Sequence, residues 1–279
     1  MEMIQALELL SGYTAGQWGM VTTRQAQMIG VYDVTLHRLK TAGLLEGVRR
    51  GVHAVTSADA SDARAEQAVW LALHPEVAGW ERPRLDPDGG VISHRSAARL
   101  HGVGELVNTR VEITVPRRRT MRDPNAWLHQ AELTSADVTV LNGLPVTRPT
   151  RTICDLLDQH IDASHIATII RQAVEGGQVQ LDQLAETIKP YAQRYGAKPL
   201  TGAALLDLLL AQIGLSTQEL STRPSPEITW GQLKELTWSD LKNTGVTWGQ
   251  LAEMSPEVAQ RLRRATTTPN ATIEPNDET

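Results

Sequence analysis

Residues 21–55 constrain the fold more than any other stretch, because helix-capping, glycine and strand signals follow one another there in a fixed order. Thr22, with Gln25 three positions later, forms a capping box that starts a short helix. Gly30 and Gly43 are placed to end a first and a second helix. The order predicts two short helices joined by a tight turn.

The second helix is predicted to start at Asp33 as its cap and to place Leu36 and Leu39 on an apolar side. Two short strands follow at 44–48 and 52–55, so that a β-hairpin completes the stretch. Helix, turn, helix and hairpin in this order predict a winged helix-turn-helix.

The polar side of the second helix would read base edges in the major groove of DNA. That side carries Thr35, His37, Arg38 and Lys40. Arg49 and Arg50 fall at the hairpin tip, where they could contact phosphate. An ordinary pair of helices with a hairpin and a solvated polar side gives the same pattern, so both interpretations stay open.

Composition narrows the class of protein. The chain has 279 residues, of which 41% are hydrophobic, which suits roughly two or three small domains. The single cysteine, Cys154, excludes an intramolecular disulfide and favours a reducing compartment. The first ten residues lack a basic segment, and no apolar run reaches membrane-spanning length. We therefore expect a cytoplasmic protein with no membrane segment and no cofactor.

Net charge is −5, which is unusual for a DNA-binding protein, but the acidity is unevenly distributed. Residues 1–56 carry five Lys and Arg against four Asp and Glu, and residues 57–151 carry twelve against twelve. Residues 152–279 carry ten against sixteen. The acidic excess therefore lies in the C-terminal part and does not argue against DNA binding by the N-terminal part.

We expect an α+β protein with four segments. Residues 1–56 are predicted to be a winged helix-turn-helix domain, with a first helix that Ser11 and Gly12 would end. Residues 57–215 are predicted to be a mixed α/β domain that ends in helices. Residues 216–265 would form a tail of short capped helices, and residues 266–279 a disordered end.

The middle segment contains a strand at 110–116 with alternating apolar and polar residues. Glu112 and Thr114 are the polar members, so we expect a strand that is buried on one side only. A basic loop at 117–122 follows, and it would add a second DNA contact or would simply be solvated. Its first three residues are Arg117, Arg118 and Arg119.

Further along, Asn142-Gly143 is a strong signal for a two-residue hairpin turn. Near the C-terminus, a Thr-Trp repeat recurs three times between residues 229 and 251. Its tryptophans would pack on neighbouring helices or form an interaction surface.

The sequence offers only weak evidence for a catalytic or metal-binding site. His94 and His101 lie seven residues apart without a carboxylate at ligand spacing, so we interpret them as polar surface residues and predict neither a metal site nor a catalytic residue. A nuclease built on Asp88 and Glu112 would need a lysine at position 114, where the chain has threonine. Cys154 lies on an apolar helix side, which favours a buried small residue over a nucleophile.

Four segments in fixed order carry a family resemblance. They are the hairpin end at 49–54, the segment SHRSAARLHG at 93–102, the strand at 111–116 with its arginines, and GLPVTRPTRTICDL at 143–156. Together they resemble the AbiEi antitoxin family of type IV toxin–antitoxin, or abortive infection, systems. The resemblance covers about residues 5–215 and leaves out the Thr-Trp repeat.

The resemblance implies an antitoxin that is not an enzyme. Such a protein represses its own operon by binding inverted repeats of double-stranded promoter DNA, as a monomer or weak dimer, and counters a nucleotidyltransferase-like toxin. It assigns DNA contact to the polar residues of the second helix and hairpin tip, and adds Thr23 and Arg24. Whether the toxin is bound directly stays open. The alternative is a stand-alone winged-helix regulator with a C-terminal ligand- or protein-sensing domain.

Overall fold

The structure, a computed structural model, describes residues 2–222 of a protein that mixes helices and strands. Chain contacts divide it into two compact units, of which the first comprises residues 2–100 and 105–161. Among the described residues, the second comprises residues 101–104 and 162–222. The Thr-Trp repeat and the predicted disordered end lie outside the described residues. No helix in the described part is long and apolar enough to cross a membrane.

The first unit holds both sheets. Its elements are α1 (Met3–Thr14), β1 (Met20–Thr22), α2 (Thr23–Met28), α3 (Asp33–Thr41), β2 (Leu45–Arg49), β3 (Val52–Val55), α4 (Arg64–Leu73), β4 (Val91–Ile92), α5 (His94–Leu100), β5 (Val111–Val115), β6 (Ala126–Gln130), β7 (Val138–Leu141), β8 (Leu144–Thr147) and α6 (Pro149–Asp158). The described part of the second unit contains the helices α7 (Ala163–Glu175), α8 (Leu181–Ile188), α9 (Gly202–Leu210) and α10 (Thr217–Thr222).

The N-terminal elements follow the predicted order. The Thr22 side chain accepts from the amide of Gln25, whose side chain in turn accepts from the Thr22 amide, so the predicted capping box is confirmed. Gly30 and Gly43 take positive φ angles of 82° and 72° just after α2 and α3, where only glycine adopts the turn without strain.

Three local predictions were wrong. Asp33 does not cap α3, because Tyr32 occupies the cap position and Asp33 is the first helical residue. Helix α1 continues to Thr14 instead of ending at Ser11, whose hydroxyl donates to the Glu8 carbonyl within the helix. The strand β1 was missed, because its three residues become a strand only by pairing with β3.

The hairpin of β2 and β3 forms as predicted and joins β1 in a three-stranded antiparallel sheet of order β1-β3-β2. The buried side chains under this sheet come from all three N-terminal helices and from the sheet itself; they include Ala6, Leu10, Val21, Ala26, Leu36, Leu39 and Leu45. Burial of Leu36 and Leu39 confirms the predicted apolar side of α3 and leaves its opposite side to solvent.

A second, five-stranded sheet has the order β6-β5-β4-β8-β7. Strands β5 and β6 are parallel, as are β4 and β8, whereas β4 with β5 and β7 with β8 are antiparallel. The turn between β7 and β8 consists of Asn142 and Gly143 with φ angles of 51° and 78°, which confirms the predicted hairpin.

The expectation of a half-buried β5 was wrong. Glu112 and Thr114 are only 1% and 2% exposed, so the strand is buried on both sides. Helix α5 lies against the polar side, where the Ser96 hydroxyl accepts from the Glu112 amide and the Ser93 hydroxyl accepts from the Thr114 hydroxyl. A charged side chain is therefore enclosed in the first unit and needs partners there.

Two fully buried glutamines connect the N-terminal elements to the segment after α4. Gln17 and Gln25 bond to each other, with Nε2 to Oε1 distances of 2.9 and 3.1 Å. Gln25 also donates to the Val77 carbonyl, and Gln17 accepts from the Gly79 amide. These bonds hold α2 against the rest of the unit.

In the second unit, α7, α8 and α9 pack through aliphatic side chains. Ile166, Ile170, Leu184, Leu205 and Leu209 are each fully buried. Asp162 caps α7 by accepting from the Ser164 amide.

Substitution of Gln25 by alanine is expected to lower the free energy of unfolding by about 2–3 kcal/mol, because it removes the capping box and leaves buried polar groups unpaired. Urea unfolding measures the loss. Gln5→Ala, on the exposed side of α1, is the control and should change stability by less than about 0.5 kcal/mol. Equal stability of the two variants would contradict the role of the buried amide pair.

Candidate nucleic-acid interface

The outer side of α3 is polar and open to solvent. His37, Arg38 and Lys40 are exposed and Thr35 is half-buried, as the predicted helix periodicity requires. Among residues 2–222, neither Arg38 nor Lys40 takes part in an ion pair. The two cations are therefore available to an external anion or to base edges.

Of the two residues predicted at the start of α2, only Arg24 is exposed. The Thr23 hydroxyl lies 2.9 Å from Nε2 of His53 on β3, so it already has a partner inside the protein. Burial lowers the pKa of His53, the nearby Lys40 lowers it further, and Asp33 opposes them. His53 is thus neutral at neutral pH and adds no charge to this surface.

The two arginines of the hairpin tip differ in their surroundings. Nε of Arg49 donates to the Asp123 carboxylate at 2.8 Å, and the Arg49 side chain is only 10% exposed. Arg50 is exposed and has no ion-pair partner within residues 2–222. Arg49 therefore anchors the hairpin to the loop before β6, and Arg50 is the residue of the pair that can reach a ligand.

Of the arginines after β5, some are bonded within the protein and others are exposed without an ion pair in the described residues. Arg117 pairs with Asp88 at 3.0 Å but remains exposed, and Arg119 donates to the carbonyls of Leu73 and Asp88. Arg118 is exposed and, within the described part of the chain, forms no ion pair. Carbonyl groups do not neutralise Arg119, so the loop keeps its positive charge.

Hairpin tip and basic loop line one cavity of about 260 Å³. The polar residues that line it include Arg50 of the hairpin tip, Arg119, Thr120 and Arg122 of the loop, and the acidic Asp123, which already pairs with Arg49. The hairpin tip and the loop are far apart in sequence, and Arg122 was not predicted to contact DNA. Three arginines therefore line one opening against one paired aspartate, a lining that suits a phosphate group.

A separate group of ionisable side chains lies on the polar side of β5. His94, Glu112 and His129 place potential ligand atoms within 4.8 Å of one another. Nε2 of His129 is 2.8 Å from Glu112 Oε2, and the two imidazole rings stack with centroids 3.7 Å apart. The interpretation of His94 as a surface residue was therefore wrong: its ring stacks on His129, and the carboxylate near it is Glu112, which is eighteen positions away in sequence.

The surroundings of this group set the protonation states of His94 and Glu112. Burial lowers the pKa of His94 to about 3, and the neighbouring His129 lowers it as well, so the His94 imidazole is neutral at neutral pH. Burial raises the pKa of Glu112, but hydrogen bonds from His129, Gln159 and Arg95 outweigh burial and keep the carboxyl ionised.

Two other catalytic patterns receive no support. Asp88 lies in an exposed ion pair with Arg117 and is not part of the Glu112 group. Burial raises the pKa of the Cys154 thiol to about 12, and the side chain is 7% exposed, so the predicted burial of this cysteine is confirmed.

Comparison with known proteins adds no identification, because no protein-family model matches the chain and no curated protein sequence matches it.

Asp123→Ala is expected to lower the free energy of unfolding by about 1–3 kcal/mol at pH 7, because it leaves the Arg49 guanidinium unpaired in a mostly buried position. Burial raises the pKa of Asp123, but bonds from Arg49 and the Asn125 amide outweigh it, so the net pKa lies below its ordinary value. The stabilisation is then complete above the unfolded-state pKa and is lost as the pH falls through the folded-state pKa.

Urea unfolding at pH 7 and in steps down to pH 3 measures both effects. The difference between wild type and Asp123→Ala should narrow below about pH 4. Asp88→Ala, which breaks the exposed pair with Arg117, is the control and should change stability by less than about 1 kcal/mol at any of these pH values. A difference that stays constant with pH would exclude the ion pair as its cause.

Proposed function

We propose that residues 2–56 are a winged helix-turn-helix that binds double-stranded DNA, with α3 as the recognition helix and the β2–β3 hairpin as the wing. The observation that carries the proposal is the cavity at the wing tip, where Arg50 meets Arg119 and Arg122. A solvated hairpin needs no such cluster of like charges, whereas a phosphate backbone neutralises it.

The exposed side chains fall into two groups, one for base contacts and one for phosphate contacts. Thr35, His37, Arg38 and Lys40 lie on the outer side of α3 and would reach base edges in the major groove. Arg24, Arg50, Arg118 and Arg122 are exposed and would contact phosphates, which fix the position of the protein without reading sequence. Arg49 and Thr23 support the interface from inside through Asp123 and His53.

We further propose that the DNA is the promoter of the protein's own operon and that the protein is the antitoxin of a type IV toxin–antitoxin system. The support for this part is the resemblance to AbiEi antitoxins. Its two longest segments contain α5 and β8–α6, which lie together because α5 contacts α6 and the strand just before α5, β4, pairs with β8. A nucleotidyltransferase-like gene directly downstream is expected, and its absence would favour the stand-alone regulator.

Arg38→Ala and Lys40→Ala are expected to weaken binding to the promoter DNA, with a loss of about 1–3 kcal/mol where the side chain reads a base edge. The measurement is a gel shift of the full chain with its own upstream DNA at two salt concentrations, with random DNA as competitor. Arg171→Ala, which removes an arginine from α7, is the matched control and should leave binding unchanged. Unchanged binding by both α3 variants would overturn the assignment of the recognition helix.

Arg50→Gln and Arg122→Gln are expected to weaken binding to promoter DNA and to random DNA to the same degree, because phosphate contacts carry no sequence information. Each substitution should also lower the slope of log Kd against log salt by about 1, since one fewer counterion is released. Fluorescence anisotropy over a salt series measures both quantities, with Arg171→Gln as control. A loss confined to the promoter sequence would mean that these arginines read bases instead.

A further inference from the structure

We propose that His94, Glu112 and His129 form a binding site for a divalent transition-metal ion, for which Zn²⁺ is the best match. Each residue offers one ligand atom, and these atoms lie within 4.8 Å of one another in the interior of the first unit. The site is separate from the proposed DNA interface and does not depend on it.

The ligand types are those that zinc prefers. Two imidazole nitrogens and one carboxylate oxygen make up a set that occurs in three-ligand zinc sites, which leave the fourth position open. Zinc–ligand bonds of about 2.0–2.1 Å in a tetrahedron place the ligand atoms about 3.4 Å apart. The ligand atoms lie within 4.8 Å of one another, and His129 Nε2 is 2.8 Å from Glu112 Oε2. Coordination therefore requires the ligand atoms to move closer together and the stacked imidazole rings to tilt toward a common point.

Neighbouring groups orient the ligands. Nδ1 of His94 lies 2.9 Å from the Ser93 hydroxyl, which leaves Nε2 as the nitrogen available to an ion. The Thr114 hydroxyl donates to Ser93 at 2.8 Å and fixes it. Arg95 donates to Oε1 of Glu112 at 3.0 Å and leaves Oε2 toward His129. Metal-binding histidines are commonly held by such second partners, which set ring orientation and tautomer.

Gln159 supplies a candidate fourth ligand. Its Nε2 donates to Glu112 Oε2 at 2.6 Å, while its Oε1 is buried without a hydrogen-bond partner in the described part of the chain. A buried carbonyl oxygen without a partner is destabilising. Rotation of the amide would turn this oxygen toward an ion between Glu112 and His129, at the cost of the bond from Nε2 to Glu112.

The backbone conformation of His94 also supports a binding site here. Its φ angle is +53°, a left-handed conformation that non-glycine residues rarely adopt. Such conformations persist where the surrounding structure holds them in place, and they occur preferentially at functional sites. Here the conformation directs the first residue of α5 into the interior, where its side chain is only 7% exposed.

Isothermal titration of the chelator-treated full chain with Zn²⁺, and with Co²⁺ followed by its visible absorption, tests the proposal. We expect one ion per chain. His129→Ala and Glu112→Gln should each weaken the affinity at least about 100-fold, and Ser93→Ala, which removes a second partner, about 10–100-fold. His94→Asn keeps a residue that tolerates the left-handed conformation and should also lose the ion. His165→Ala, on the exposed side of α7, is the control and should bind like wild type.

Far-UV circular dichroism of each metal-free variant separates loss of the ion from loss of the fold. Ser93→Ala and His129→Ala both keep the buried Glu112 carboxylate. They therefore keep the test valid if Glu112→Gln fails to fold. Absence of ion binding by the folded wild-type chain overturns the proposal. So does binding that His165→Ala weakens as much as His129→Ala, because the ion would then sit at surface histidines.

Discussion

The buried amide pair of Gln17 and Gln25 is the interaction on which the proposed interface depends. Gln25 belongs to the capping box that starts α2, and the same side chain reaches the Val77 carbonyl in the segment after α4. Gln17 accepts from the Gly79 amide in that segment. Because these amides lie fully inside the protein, separating the N-terminal elements from the rest of the unit would leave several polar groups unpaired. The glutamine pair thereby joins the N-terminal elements to the segment after α4, and the Arg49–Asp123 pair joins the hairpin tip to the basic loop.

Charge distribution explains how an acidic chain can present a cationic surface. One ion pair of the first unit uses an arginine whose side chain is largely covered, Arg49 with Asp123. Arg50 and Arg122, which form no ion pair within the described residues, are exposed and line one cavity. Net charge therefore says little about the surface that a ligand meets, since screening at physiological salt limits the range of each charge to about 8 Å.

Local signals were predictable from sequence, and long-range ones were not. The capping box at Thr22, the glycines that end α2 and α3, and the Asn142-Gly143 turn depend on neighbouring residues, and the structure confirms them. The burial of Glu112 was missed, because the alternation in β5 indicates two sides but not whether α5 covers the polar one. The sequence of β6 carried a signal for this side of the sheet. Trp127 and His129 occupy every second position there, as Glu112 and Thr114 do in β5. Parallel pairing of β5 with β6 then places Glu112 and His129 on one side of the sheet.

The same pairing relates the two candidate sites. Glu112 lies on β5 and His129 on β6. The loop that connects these strands carries Arg119 and Arg122, which line the basic cavity, and Asp123, the partner of Arg49. An ion bound between Glu112 and His129 would join the two strands from which this loop emerges. It would restrict the loop at both ends without touching any residue assigned to DNA. Residues 111–130 therefore contribute to both the proposed metal site and the basic cavity, which His94 and Arg50 respectively complete from other segments.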